Sequence, residues 1–210
     1  RTDVTGGFRM DRGFQVFLTS YPEARRLLDY GALDLRYFEP GCVVAQDGEL
    51  MPFVDPWRKP SGVVQGLFGP IGSMTDKLRL ARLRHRVTSP PLETVLAQPE
   101  TTTARALKAQ GFSAEMVDGF FRPLLTGLFL DPDLSTSSRK FLWTFRMFSM
   151  GRAAVPALGM AEIPKQLAAR LPANRIVFNT RARAVSEGRV SLEDGRDLLC
   201  AQSVVATDAA

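Results

Sequence analysis

The sequence predicts an α+β or α/β chain, with strands at both ends and a helical insert between them. Three observations carry this. Residues up to about 58 hold short apolar runs broken by Gly6-Gly7 and Asp47-Gly48 turn signals. From Ser73 to Met150 the apolar spacing becomes helical and Ser or Thr recurs at cap positions. Beyond Ile176 short apolar runs return, split by Glu187-Gly188 and Asp194-Gly195.

In chain order, Phe8, Met10, Phe14, Val16 and Leu18 alternate loosely after Gly6-Gly7, which predicts a short hairpin or two short strands. Tyr21-Pro22-Glu23 opens a helix with proline near its start and an acid in the first turn; Ala24, Leu27 and Leu28 share a face, and Gly31 ends it. Val43-Val44 and Leu50-Met51 flank Asp47-Gly48, a hairpin signal, within antiparallel strands over 36–58. Residues 59–73 are rich in glycine and proline and read as loop. Ser73 or Thr75 caps a helix to about Val87, and a short helix follows Pro90-Pro91. Others cover Thr101–Gln110, stopped by Gly111, and Ala114–Phe121 after Ser113. The run 131–138 is a capping-rich loop before a helix to about Met150. Gly159 precedes a last helix, Ala161–Leu171. Ile176–Phe178 reads as a strand. Ala182–Val185, Arg189–Leu192 and Leu198–Cys200 form a β-meander that feeds the apolar run Val204–Thr207. That last run reads as a strand with no helix after it to cover it. It predicts a chain cut from a longer protein, in which Ser203–Thr207 lies exposed or at a sheet edge.

Composition narrows the class. Of the 210 residues, 45% are hydrophobic and 23% charged, the balance of a globular chain rather than a disordered or fibrous one. No uncharged apolar run reaches the roughly 18 residues a membrane-spanning helix needs. Cys42 and Cys200 are too few for a disulfide framework and form no CxxC pair. The net charge of +5 suits an anionic cofactor or a membrane surface without selecting either.

Several chemistries lack their residues. The single histidine, His85, lies between Arg84 and Arg86, a poor setting for a Ser-His-Asp or Cys-His nucleophilic site, and a zinc or iron centre lacks ligands; no metal is expected. There is no GxxxxGK[ST] phosphate loop and no GxSxG elbow. Asp131 and Asp133 suit a turn or helix cap better than a catalytic carboxylate pair. The run Lys77–Arg86 reads as a basic helix with solvated arginines, or as a contact for a membrane surface or acidic partner. No nucleic-acid module is recognisable, and no nucleic-acid partner is expected. Seven of the 14 phenylalanines fall between 112 and 148, joined by Met116, Trp143, Met147 and Met150. They form either ordinary helical core or an apolar substrate cavity lined by adaptable side chains.

Three stretches resemble a known family. Arg1-Thr2-Asp3 with Phe8-Arg-Met-Asp-Arg-Gly-Phe-Gln15 is similar to the segment at the end of, and just after, the GG-R-x-x-[ST] motif of flavin amine oxidases, phytoene desaturases and protoporphyrinogen oxidases. Phe121-Arg-Pro-Leu-Leu-x-Gly127, with Pro156-x-x-Gly-Met160 and Ile163-Pro164-x-x-Leu167, is similar to the helical substrate region of the desaturase-like members and its return to the flavin. Thr180-Arg-Ala182-x-x-Val185, Val190-x-Leu-x-Asp-Gly195 and Val204-Val-Ala-Thr207 resemble the adenine-side meander and strand end of the same fold. Alanine at 182 departs from the usual valine.

The resemblance implies part of a two-domain, Rossmann-like FAD-binding flavoprotein, with a helical substrate subdomain and a β-meander. Residues 1–35 and 161–210 would belong to the FAD-binding domain and 36–160 to the substrate subdomain. The glycine-rich GxGxxG unit that would hold the pyrophosphate, and the C-terminal Gly-Asp segment, would lie outside residues 1–210. It implies FAD contacts at Arg1, Thr2, Gly13, Phe14, Gln15, Ala182, Ala206 and Thr207, with the two ends of the chain meeting around one site. Substrate contacts would fall at Phe121, Phe145, Gly159 and Met160. The expected activity is removal of hydride from an apolar small molecule, such as a polyene, tetrapyrrole or bulky amine. Because FAD carries the chemistry, no catalytic residue is nominated. Two rivals stand beside this: a flavin enzyme for ordinary amines, and a non-enzymatic lipid- or protein-binding module using helix 77–86. A cytoplasmic location is expected, either free or at a membrane surface by peripheral contact.

Overall fold

The first two strands of the computed structural model, β1 (Thr2–Thr5) and β2 (Phe8–Asp11), form an antiparallel hairpin. The structure describes residues 1–13, 16–46, 48–55, 58 and 72–207. Gly6 and Gly7 turn the chain at φ of 58° and 83°, values that favour glycine. The glycines therefore sit between two strands, and the strand before them, rich in β-branched residues, goes beyond the sequence reading.

A second sheet runs in the order β3 (Phe17–Leu18), β7 (Ala153–Pro156), β4 (Leu35–Tyr37), with β7 central and antiparallel to both neighbours. Pro156, which has no N–H to donate, ends β7 beyond the two residues that pair with β3, so there β7 has a ladder partner on one side only. The helix Pro22–Leu27 stops four residues short of Gly31. The Asp29 carboxylate accepts from the amides of Gly31 and Ala32, a local turn that competes with another helical turn. Phe17, Leu33, Leu35, Ala154 and Met160 form the core here, with Ala24, Leu28 and Ile163 packed on it.

β5 (Gly41–Gln46) and β6 (Glu49–Val54) pair as expected, Val44 opposite Met51, with Gly48 at φ 82°. Asp47 of that turn and loop residues 59–71 lie outside the described residues.

Two helices begin at the caps expected for them, Ser73 and Ser113, and Thr102 and Ser137 cap two more. Ser73 and Asp76 make a reciprocal capping box at the start of Met74–Thr88. Leu92–Leu96, Thr103–Ala109 and Ser138–Met150 follow the sequence reading. Ala114–Met116 runs into a π-helical turn, Val117–Phe121, and on into Arg122–Phe129, a helix the sequence reading did not include. Pro123 would clash with the carbonyl four residues back in a regular helix, and the widened turn before it takes up that clash. Leu83, Val87, Leu107, Met116, Phe121, Leu134 and Phe141 form the buried core of this region.

The chain divides into two compact units, Arg1–Pro164 and Lys165–Ala210. The helix Glu162–Ala168 spans their boundary. The second unit holds the meander β8 (Ala182–Ser186), β9 (Arg189–Leu192) and β10 (Asp197–Leu199) in simple antiparallel order. Ile176–Phe178 does not form the expected strand: it pairs with no strand among the described residues, and Val177 and Phe178 stay exposed. Ser203–Thr207 likewise joins no ladder among the described residues, and Val204 and Val205 are exposed.

Candidate functional site

In the β1–β2 hairpin Thr2 stands directly opposite Asp11, so both side chains leave the same face. A turn closed by the Gly159 amide on the Pro156 carbonyl (2.9 Å) brings the chain after β7 against that face. The Met160 amide donates to Asp11 Oδ1 at 3.0 Å and to Oδ2 at 3.2 Å. The Ala161 amide donates to Thr2 Oγ1 at 3.0 Å, and the Thr2 hydroxyl in turn donates to the Asp11 carboxylate. Amides just ahead of the Glu162–Ala168 helix would otherwise lack acceptors, and a carboxylate there is electrostatically favoured. Gly159 has φ +95°, and a Cβ on it would lie 2.5 Å from Thr2 Cγ2. The approach of the two segments therefore needs glycine at this position.

Beside this clasp, the Asp3 carboxylate lies between the guanidinium groups of Arg1 and Arg12. Hydrogen bonds from Arg12, then Arg1, hold its carboxyl below the usual range, against a smaller upward push from burial. The Arg12 amide also donates to the Arg1 carbonyl at 2.8 Å. Both arginine side chains remain well exposed, so each keeps guanidinium N–H groups for another anion.

Thr2, Gly159 and Met160 are thus brought together, joining one residue expected at FAD with two expected at the substrate. Thr2 spends its hydroxyl on Asp11 and Ala161, so it positions the turn. Arg1 and Gly13 are exposed in the same unit; Phe14 and Gln15 lie outside the described residues. Ala182, Ala206 and Thr207 are exposed in the second unit, and Ala182 pairs with Leu192. Phe121 is placed elsewhere: at 0% exposure it is core, edge-on to Phe112, Phe120 and Phe141. Phe145 packs half-buried on the same cluster, while Met160 belongs to the other core. For Phe121 and Phe141 the open choice between core and cavity lining resolves to core. A concavity of about 410 Å³ opens instead between β5 and the π-helical turn, lined by Val44, Ala45, Ala114, Asp118 and Pro123. Asp131 accepts from the Thr136 amide and hydroxyl at 2.6 Å each, the turn-capping use its sequence setting suggests.

Asp11 is the residue the sequence reading left out of the site. Its signal was present: centring a two-residue turn on Gly6-Gly7 pairs Thr5 with Phe8 and, three steps out, Thr2 with Asp11.

Small strands, a helical insert and a clasp that joins the N-terminal hairpin to the turn after β7 define a mixed α/β chain. The sequence model of the flavin-containing amine oxidoreductase family matches residues 1–210, and the chain belongs to that family. A search of curated proteins found no match. Family membership makes the protein a flavin-dependent oxidoreductase with FAD as cofactor. Within the first unit, the exposed guanidinium N–H groups of Arg1 and Arg12 and the side-chain-free backbone at Gly13 suit an anionic group of this kind.

Proposed function

We propose that the chain serves removal of hydride from an apolar small molecule, within a two-domain Rossmann-like flavoprotein. Residues 1–35 and 161–210 are read as its FAD side and 36–160 as its substrate side. The observation that carries this is the clasp of Thr2 and Asp11 on Met160 and Ala161. It ties the segment resembling the flavin motif to the segment resembling the return from the substrate region. FAD, when bound, supplies the hydride acceptor. This chain's residues bind and orient. Arg1 and Arg12 offer cationic donors to the cofactor's anionic portion, with Gly13 beside them. The Ala182 backbone is read as an adenine contact, with Ala206 and Thr207 near the cofactor. Asp11 and Thr2 fix where Gly159 and Met160 present themselves to substrate.

Val44, Ala45, Ala114 and Pro123 give the concavity beside the π-helical turn an apolar stretch, with Glu115 and Asp118 at the same lining, and a π-helical turn is an irregularity frequent at functional sites. The GxGxxG cradle for the pyrophosphate is absent from these 210 residues. Residues 1–210, which carry no such cradle, are expected to hold FAD weakly.

Purified intact protein should show visible flavin absorbance that bleaches under anaerobic conditions when a polyene, tetrapyrrole or bulky amine is added. Bleaching by small polar amines alone would overturn the apolar-substrate reading.

A further inference from the structure

The helix Met74–Thr88 carries a second feature unconnected with the clasp. Its inner face, Leu83 and Val87, is core, and its outer face runs Met74, Leu78, Arg82, His85, Arg86. Arg79, Arg82 and Arg86 follow one another at three- and four-residue steps, about 10 Å from first to last along the axis. With Ala109 and Gln110 at the end of the Thr103–Ala109 helix they line a concavity of about 240 Å³. Arg82 and Arg86 have no carboxylate partner among the described residues, and Arg79 shares the one carboxylate it reaches. Arg79 reaches Asp76 at 3.4 Å, a carboxylate already committed to Ser73 and Ser113. Arg86 donates at 3.3 Å to Gln98, which is uncharged. Arg82 has no hydrogen-bond or ion-pair partner among the described residues. One turn before Arg82, Leu78 stands 68% exposed, and Met74 a turn earlier stands 51% exposed.

We propose that this concavity receives the phosphate of an anionic phospholipid and that the helix docks on a membrane surface, with Leu78 and Met74 entering the headgroup layer. Guanidinium forks match a phosphate group in shape and charge. A soluble phosphate ligand would use the arginines equally well but would leave two large apolar side chains in water at its edge. A membrane surface takes up both. The inner face of the helix is occupied by core, so the helix lies on the surface and does not sink into it. No helix among the described residues is long and apolar enough to cross a membrane, and docking of this kind asks for none.

The test is co-sedimentation of the intact protein with vesicles of phosphatidylcholine alone and of phosphatidylcholine mixed with phosphatidylserine. Binding is expected to the mixed vesicles only and to weaken as salt is raised. Arg82→Gln with Arg86→Gln should reduce it roughly thirtyfold, two cations near an anionic surface being removed. Leu78→Asp should also reduce it, and far-ultraviolet circular dichroism should show both variants folded. Equal binding to neutral vesicles, or binding unchanged in the arginine variant, would overturn the proposal. So would a rise in melting temperature with inorganic phosphate in a protein that binds neither vesicle, because the ligand would then be a soluble anion.

Discussion

Replacing Gly159 by alanine puts a methyl group where Thr2 already stands. The new Cβ would lie 2.5 Å from Thr2 Cγ2 and 2.6 Å from Thr2 Oγ1, inside any tolerable contact, and the backbone is held at φ +95°. A non-glycine residue at such a φ costs about 1–3 kcal/mol. If Thr2 withdraws, its bond from the Ala161 amide is lost, at about 1 kcal/mol. Together these give about 2–4 kcal/mol, a fall in melting temperature of roughly 4–16 °C for a chain of this size. A double-mutant cycle separates the two parts. Thr2→Ala removes the two nearest atoms and leaves only Thr2 Cβ, at 3.1 Å, so Gly159→Ala in that background should cost about 1 kcal/mol less than in the wild type, leaving mainly the backbone strain. The assay is urea or thermal unfolding of all four proteins. Gly159→Ala with an unchanged melting temperature, or costs that simply add, would refute the close approach of the two segments.

Asp11→Ala removes the acceptor for the Met160 amide and for the Thr2 hydroxyl; flavin absorbance per mole of intact protein should fall while the far-ultraviolet spectrum is kept. Phe141→Ala empties a fully buried site and should cost about 3–5 kcal/mol in urea unfolding. Burial alone would raise the Asp76 carboxyl, but hydrogen bonds from the amides and hydroxyls of Ser113 and Ser73 outweigh it and hold it well below the ordinary range. A lowered folded-state value means stability that is full above the unfolded carboxyl near pH 4 and lost progressively below it, so unfolding midpoints should fall with acid in the wild type and fall less in Asp76→Asn. At neutral pH that variant should be about 1–3 kcal/mol less stable, its amide N–H groups facing donors.

The helical region was legible because its signals are local. Ser73, Thr102, Ser113 and Ser137 each accept an amide hydrogen bond from their own helix start, an interaction written within four residues of sequence. The two-residue turns at Gly6-Gly7 and Gly188 were legible for the same reason. What escaped depends on distant partners. β7 is four residues, Ala-Ala-Val-Pro, with no alternation to read; it is a strand because β3 and β4 lie on either side of it. Ile176–Phe178 and Val204–Val205 have strand-like side chains, yet a ladder needs a second strand, and side-chain type says nothing of whether one is there. Phe121 shows the same limit for the site. The motif around it was recognisable, but its burial follows from Phe112, Phe120 and Phe141 closing around it, contacts no motif records.

The clasp fits a proposed function for which no catalytic side chain is nominated. On the proposed reading, in which the cofactor accepts hydride, the chain's task is placement, and placement uses ordinary residues. Asp11 and Thr2 satisfy the amides of Met160 and Ala161, and Gly159 admits Thr2 where any side chain would exclude it. Each is replaceable in isolation by many residues on a surface, and each is constrained here by the other two. Thr2 without Asp11 loses the acceptor that orients its hydroxyl, and Asp11 without the glycine loses the approach that brings the Met160 amide within 3.0 Å. The constraint spans nearly 150 residues of sequence, from the hairpin to the turn after β7. It becomes visible only when hairpin register and turn geometry are taken together.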